Sequence, residues 1–185
     1  MDVLDLFPRS ILRGTLPAPL LNQLIDLGES VLANPSASPD ASAKLAGQLR
    51  QQRELRADQP AVQQLSAEVL LPACDRWIRH VMDRQPPQGR GPWVPGRYRL
   101  QMIDLWINCQ TAGDYNPTHT HGGSFSGVIF LKVPPQITGN SFDGQLCFHG
   151  PEDWHLQSFR TGMAHYVLPV PGEYYVFPAW QPHSV

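Results

Sequence analysis

Basic charge and long apolar runs are scarce in this chain, and each shortage excludes a class of protein. The 14 basic and 16 acidic residues leave a formal net charge of −2, so no basic field exists to attract nucleic acid or an anionic membrane. No apolar run approaches the roughly 20 residues of a membrane span. Asp2 and Asp5 occupy positions where a signal peptide carries positive charge. We therefore expect a cytoplasmic protein without a nucleic-acid or membrane partner.

Cysteine is also too sparse to organise the fold. Cys74, Cys109 and Cys147 are odd in number and widely spaced, so neither a disulfide framework nor a Cys-x-x-Cys metal site is available. Any bound metal must then be held by histidine. Proline and glycine, in contrast, are plentiful, with 19 and 15 residues among 185, and this load argues against an all-helical bundle.

A Pro- and Gly-rich stretch over 86–92 separates two hydrophobic periodicities within one predicted domain, 1–185. We interpret 1–96 as an N-terminal helical layer with its linker, and 97–185 as a barrel of strands. In the first part, apolar spacing predicts helices over about 19–33 and 62–81, and a weak helix over 41–55.

Alternating apolar residues between turns predict the strands of the second part, over 98–109, 126–133, 145–149, 165–168 and 173–177. Because these strands follow one another without helices between them, we expect an antiparallel sandwich or barrel.

Histidines supply the most specific chemical pattern in the sequence. His119 and His121 are two residues apart, a spacing that places both imidazoles on one face of a strand. His183 follows the last predicted strand, and closure of a barrel would bring it to the pair as a third ligand. Two surface histidines would give the same His-x-His spacing, so the pair alone is weak evidence for a metal site.

The residues around the histidines strengthen that evidence. In chain order they form the motifs Trp106-x-Asn108, Gly113-Asp114-Tyr115-Asn116, His119-x-His121, Ser126-Gly127-Val128 and Phe177-Pro178-x-Trp180-x-x-His183. From about Met102 to Val185, this set resembles the 2-oxoglutarate/Fe(II) oxygenase family found in bacteria and cyanophages. The resemblance implies a mainly β fold, a double-stranded β-helix (jelly-roll, cupin-like barrel) with N-terminal helices packed against it. It also implies Fe(II) held by His119, His121 and His183, with 2-oxoglutarate as cosubstrate.

The ligand set departs from the wider oxygenase superfamily at its middle position. His121 stands where that superfamily has Asp or Glu, and three neutral imidazoles leave a higher positive charge on the metal. This difference in ligands would alter the redox behaviour of bound iron, or would shift the metal preference of the site toward Zn or Ni. Asp114 is the nearest carboxylate in sequence, but its turn-forming neighbours favour a structural role.

The cosubstrate carboxylate needs a basic partner, and many relatives have an Arg beyond the distal His. The sequence stops at Val185, so we expect the natural protein to continue past it. Within this sequence Lys132 is the best candidate, because counting by twos along the strand gives it the same face as Ser126, and Arg160 is second. Asn108 shares a face with Trp106 and is positioned to hydrogen-bond the cosubstrate. The predicted cofactor-binding residues are therefore Asn108, Ser126 and Lys132.

These expectations describe a dioxygenase that hydroxylates a small molecule or an amino-acid side chain. Two alternatives remain. A cupin-like three-histidine metalloprotein that does not use 2-oxoglutarate is favoured by the missing carboxylate and the missing Arg. In a non-catalytic barrel that binds a small molecule, the histidines would be structural.

Overall fold

The computed structural model describes residues 9–42, 47–84, 98–150 and 164–185. The helices and strands, in chain order, are β1 (Leu12–Thr15), α1 (Ala18–Ala33), β2 (Gln51–Glu54), α2 (Pro60–Gln64), α3 (Leu71–Arg84), β3 (Trp106–Cys109), β4 (Phe125–Ile129), β5 (Leu146–His149), β6 (Ala164–Val167), β7 (Glu173–Pro178) and β8 (His183–Ser184). The described residues after 98 contain no helix. In the described part of the chain, every helix is too short or too polar to cross a membrane.

The two long helical segments lie where apolar spacing predicts them. Pro19 occupies the first turn of α1, where a helix needs no backbone N–H. A π-helical segment, Leu65–Leu70, joins α2 to α3 directly before Pro72. Pro72 cannot donate to the helical ladder, and the N–H of Leu71 bonds Ser66 five residues back, so the helix shifts register here and continues. The helical segment therefore passes Pro72 through a π turn.

The weak helix expected over 41–55 is wrong, because this region contains β2. Gln51–Glu54 pairs antiparallel with β3, with Gln52 opposite Asn108 and Glu54 opposite Trp106. The sequence of β2 is polar and has few large apolar residues, so pairing with β3 decides its conformation rather than local propensity.

The described residues form three antiparallel sheets, in the strand orders β1-β7-β4, β2-β3 and β6-β5-β8. The five strands expected in the second half are all present, but the first begins only at Trp106 and the second already ends at Ile129. The first half of the chain adds β1 and β2 to these sheets. The predicted linker over 86–92 lies outside the described residues.

Two apolar clusters fix the arrangement of the layers. Leu20, Leu24 and Leu65 belong to the cluster under the helices, and Ile129 packs against it. Phe148, Tyr175 and Phe177 belong to the cluster between the sheets, and Val128 packs against that one. Successive residues of β4 thus face opposite layers. Ser126, two residues before Val128, shares the face of β4 that is turned toward the cluster between the sheets.

Gly127 is required where β4 and β7 approach closely. A Cβ atom on this residue would lie 2.8 Å from the carbonyl oxygen of Tyr175 on β7. The glycine of the Ser126-Gly127-Val128 motif therefore permits the strand pairing that positions Ser126.

Candidate metal centre

Backbone hydrogen bonds bring the three histidines together. The N–H of His119 donates to the carbonyl of His183 at 3.0 Å, and the N–H of His183 donates back to His119 at 3.1 Å. The N–H of His121 donates to the carbonyl of Ala179 at 2.9 Å. These bonds join segments that lie 62 residues apart in the chain. The meeting of the His-x-His pair with the distal histidine is therefore built into the antiparallel pairing.

The ring geometry fits a single metal ion. The Nε2 atoms of His121 and His183 are 3.2 Å apart. The ring of His119 lies 4.8 Å from that of His121 and 4.3 Å from that of His183, between centroids. One ligand nitrogen from each residue lies within 4.8 Å of the others. Nitrogens bound to one ion at roughly 2.1 Å are about 3.0 to 3.4 Å apart, so only a small inward movement of the rings is needed.

Two of the imidazoles have their tautomer fixed by backbone carbonyls. Nδ1 of His119 is 2.7 Å from the oxygen of Pro117, and Nδ1 of His183 is 2.9 Å from the oxygen of Gln181. A carbonyl oxygen only accepts hydrogen bonds, so both Nδ1 atoms carry the proton. The lone pair of each of these two rings is therefore on Nε2, the atom that would bind metal, and the same bonds orient the rings.

Burial keeps the site in its ligating form. Burial, together with the smaller effect of the neighbouring histidines, lowers the pKa of His183 to about 4, although the hydrogen bond to the Gln181 carbonyl raises it. Burial, together with the nearby His119, also lowers the pKa of His121. These two imidazoles are therefore neutral near pH 7, and a metal ion displaces no proton from them.

Three neutral donors define the charge of the site. In the part of the chain that the structure describes, the only group of potential metal ligands is His119, His121 and His183. Asp114 has the structural role that its turn context predicts, since its carboxylate accepts from the backbone N–H of Thr111 at 2.8 Å and lies 3.7 Å from Arg50. A bound dication keeps its full charge in this site, which favours an anionic ligand such as a carboxylate in the open positions.

Asn108 and Ser126 lie on strand faces that are turned toward the interior. Trp106 on β3 has its ring centroid 5.9 Å from that of His121. Ile107 points the other way, toward Gly28 of α1. Asn108 therefore shares the histidine-facing side of β3 with Trp106, and its side chain is exposed. Ser126 is half-buried on the face of β4 described above.

Lys132 does not join these residues. Its Nζ lies 2.6 Å from the carboxylate of Glu29 on α1, and both side chains are exposed. Counting by twos from Ser126 fails to place Lys132 because β4 ends at Ile129, before the chain reaches it. This placement corrects the expectation that Lys132 reaches the pocket. Arg160, the second basic candidate, lies outside the described residues.

Two polar residues that touch the site have no role in the sequence-based prediction. The amide nitrogen of Asn116 is 3.3 Å from Nε2 of His119, while its buried amide oxygen has no hydrogen-bond partner among the described residues. Asn116 belongs to the motif Gly113-Asp114-Tyr115-Asn116 that carries the family resemblance. This membership was the only sign in the sequence that Asn116 has a role at the site. Nε2 of His149 is 2.9 Å from Oγ of Ser184 and 3.2 Å from Oγ1 of Thr118. His149 therefore connects the immediate neighbours of two ligands.

The fold and the site together define a class: a protein of antiparallel sheets and N-terminal helices that holds three histidines in position to bind a metal. Residues 104–185, from just before β3 through β8, match the family described as "Putative 2OG-Fe(II) oxygenase". The structure is similar to a crystal structure of a Pseudomonas putida prolyl-4-hydroxylase, with a TM-score of 0.59 and 18% identity, covering 96% of this chain and 85% of that one. The comparison with curated proteins gives no match.

The family match covers all three histidines and confirms the resemblance seen in the motifs. The match points to a 2-oxoglutarate/Fe(II) oxygenase, a family whose description implies Fe(II) and 2-oxoglutarate as cofactors. The three imidazole donors fit Fe(II), which accepts nitrogen ligands on one face and leaves positions open on the other.

Proposed function

We propose that the protein is a dioxygenase that hydroxylates a small molecule or an amino-acid side chain. The convergence of His119, His121 and His183, with two Nε2 atoms 3.2 Å apart, is the observation that carries this proposal. Fe(II) and 2-oxoglutarate, when bound, supply oxidation of a C–H bond by O2, coupled to conversion of 2-oxoglutarate to succinate and CO2. The printed name of the prolyl-4-hydroxylase with a similar fold supports including amino-acid side chains among the substrates.

The residues of this chain orient the reactants and exclude water. His119 and His121 project from one segment and His183 from the strand beside it, an arrangement that leaves one side of the metal open for ligands. Trp106 lies against His121 and limits access of water from that direction. We assign Asn108 and Ser126 to hydrogen bonds with the cosubstrate, since each is a polar residue on an inward-facing side of its strand. The strands would close around this space as a jelly-roll barrel.

An anaerobic spectral titration tests the proposal. Fe(II) is added first and 2-oxoglutarate second, and a metal-to-ligand charge-transfer band should appear only after the second addition. His121→Ala should lose the band. His80→Ala, which changes an exposed histidine on α3, is the matched control and should keep it.

The three-histidine donor set favours one specific alternative, a cupin-like metalloprotein that works without 2-oxoglutarate. Binding of Fe(II) with no band after 2-oxoglutarate would select that alternative. Failure to bind metal would instead select a non-catalytic barrel in which the histidines are structural.

A further inference from the structure

A cavity of about 440 Å³ lies between β1 and β7 on one side and β5 and β6 on the other. This volume is within the range of small-molecule sites, roughly 300 to 1,000 Å³. Its wall includes Arg9, Ile11, Arg13, Phe148, His165 and Tyr175. None of the three metal ligands lines it, so the cavity is a feature separate from the metal centre.

The strand register gives the distance between this cavity and the metal centre. His165 pairs with Phe148, Phe148 with His183, and His183 with His119, in one row across neighbouring strands. His165 is thus two strand spacings, about 10 Å, from His183. Residues paired in this way share a face of the sheet, so Phe148, itself part of the cavity wall, lies directly beside the metal ligand His183.

The cavity is lined by positive charge. Arg13 lies opposite Tyr175 in the register and hydrogen-bonds its hydroxyl. Nη1 of Arg9 donates to the carbonyl of His149 at 2.9 Å and to Oε1 of Gln181 at 3.2 Å. No acidic residue lines the cavity in the described part of the chain. The nearest carboxylate in this network is that of Glu173, which accepts from the Tyr175 hydroxyl at 2.9 Å.

Both guanidinium groups are held in place with donors to spare. A guanidinium carries five N–H donors, and the bonds described above use only part of them. Among the described residues neither Arg9 nor Arg13 forms an ion pair. Trp180 is 58% exposed, and the guanidinium of Arg9 lies 5.7 Å from its ring. The cavity wall therefore carries two arginines that have no ion-pair partner among the described residues, one of them beside an exposed aromatic ring.

We propose that this cavity binds the anionic group of the substrate, a carboxylate or a phosphate, through Arg13 and Arg9. Planar guanidinium groups bind both anions with paired hydrogen bonds. The inference rests on the proposed dioxygenase function. It adds that the substrate carries a negative charge, which the two arginines hold in the cavity beside the metal centre.

The test measures binding of inorganic phosphate and of acetate to the protein loaded with Fe(II) and 2-oxoglutarate, under anaerobic conditions and constant ionic strength. Thermal unfolding midpoints, followed as each anion is added, give the affinities. Arg13→Gln should weaken binding of the preferred anion at least about tenfold, and Arg13→Lys should weaken it less because the charge remains. Arg56→Gln, which removes an exposed arginine paired with Asp58, is the matched control and should leave binding unchanged.

The charge-transfer band reports binding of 2-oxoglutarate to the iron, so it tests the proposed function independently of anion binding in the cavity. The band should be the same in Arg13→Gln as in the wild type, since Arg13 binds substrate and not cosubstrate. Loss of the band in Arg13→Gln would overturn the assignment to substrate, and unchanged anion affinity in that variant would overturn the anion site. If the wild type itself shows no band, the proposed function fails, while the anion titration still decides whether the cavity binds anions. The relative effect of phosphate and acetate identifies which anion the substrate carries.

Discussion

Replacement of His183 by Ala removes the most buried of the three metal ligands. Its side chain is 3% exposed, its Nδ1 is bonded to the Gln181 carbonyl, and its ring lies 4.8 Å from that of Phe177. The loss of packing lowers the stability of the metal-free protein by about 1 to 2 kcal/mol. The informative quantity is therefore the shift in unfolding temperature on adding Fe(II), measured separately for each variant.

The size of that shift follows from binding to the folded state alone. At a free Fe(II) concentration about 100 times Kd, binding stabilises the wild type by about 2.7 kcal/mol. For a domain of this size each kcal/mol moves Tm by about 2 to 4 °C, so Fe(II) should raise Tm by about 5 to 10 °C. His183→Ala should show almost no rise, because the remaining two imidazoles bind far more weakly.

Anaerobic thermal unfolding with and without Fe(II) measures the effect, with His80→Ala as the control that keeps the full shift. An equal Fe(II)-induced rise in the wild type and in His183→Ala would refute the reasoning, since the metal would then bind without this ligand.

Four further changes probe the strand packing, the cosubstrate site, the hydrogen bond to His119 and the buried imidazole. Gly127→Ala should destabilise the protein by about 1 to 3 kcal/mol in urea unfolding, because its Cβ would meet the Tyr175 carbonyl at 2.8 Å. Lys132→Met should leave 2-oxoglutarate affinity unchanged, measured by the charge-transfer titration, and cost under about 1 kcal/mol, since it removes only an exposed ion pair. Asn116→Ala should raise Fe(II) affinity about threefold in a chelator competition, because it removes a hydrogen bond of about 0.5 to 1 kcal/mol that competes with the metal for Nε2 of His119. Acidification of the metal-free protein from pH 6.5 toward 4 should lower its unfolding free energy by about 2 to 3 kcal/mol, since the pKa of His183 is about 4 when folded, so only the unfolded state gains this proton.

Each of these four predictions has a control variant or a result that would contradict it. Gly139, where a Cβ would meet nothing within 4 Å, should tolerate Ala, and an equal cost at both glycines would contradict the close-approach explanation. A large loss of 2-oxoglutarate affinity in Lys132→Met would restore Lys132 to the cosubstrate site. Unchanged Fe(II) affinity in Asn116→Ala would limit that residue to a structural role. In the pH experiment, His183→Ala should lose most of the acid sensitivity, and an equal slope in both proteins would assign it to other groups.

Strands could be predicted from the sequence where the alternation of apolar residues along the chain matches the strand pairing in the fold. The turn-bounded strands β4 and β7 are local features, and they lie where the alternation predicts them. His119 and His121 were expected on a strand, but His119 meets His183 through an isolated bridge outside the named strands. β1 and β2 were not predicted, because Leu12–Thr15 and Gln51–Glu54 are short and gain their conformation from the strands they pair with. Propensity at four residues is too weak a signal to reveal such strands.

The arginines of the cavity wall were missed because they belong to the first part of the chain. The search for a charged partner of the cosubstrate was confined to the predicted barrel half of the chain, and so reached Lys132 and Arg160. Pairing of β1 with β7 carries Arg13 from the N-terminal region to the face of Tyr175, more than 160 residues away in sequence. No local periodicity indicates such a contact, because it depends on which strands become neighbours.

X-ray absorption at the iron edge, on the anaerobic protein loaded with Fe(II) and 2-oxoglutarate, tests the central claim most directly. We expect a first coordination shell at about 2.1 Å with outer-shell scattering from three imidazole rings, falling to two in His183→Ala. A wild-type spectrum with two or fewer imidazoles, or one that His183→Ala leaves unchanged, would contradict the assignment of His119, His121 and His183 as the iron ligands.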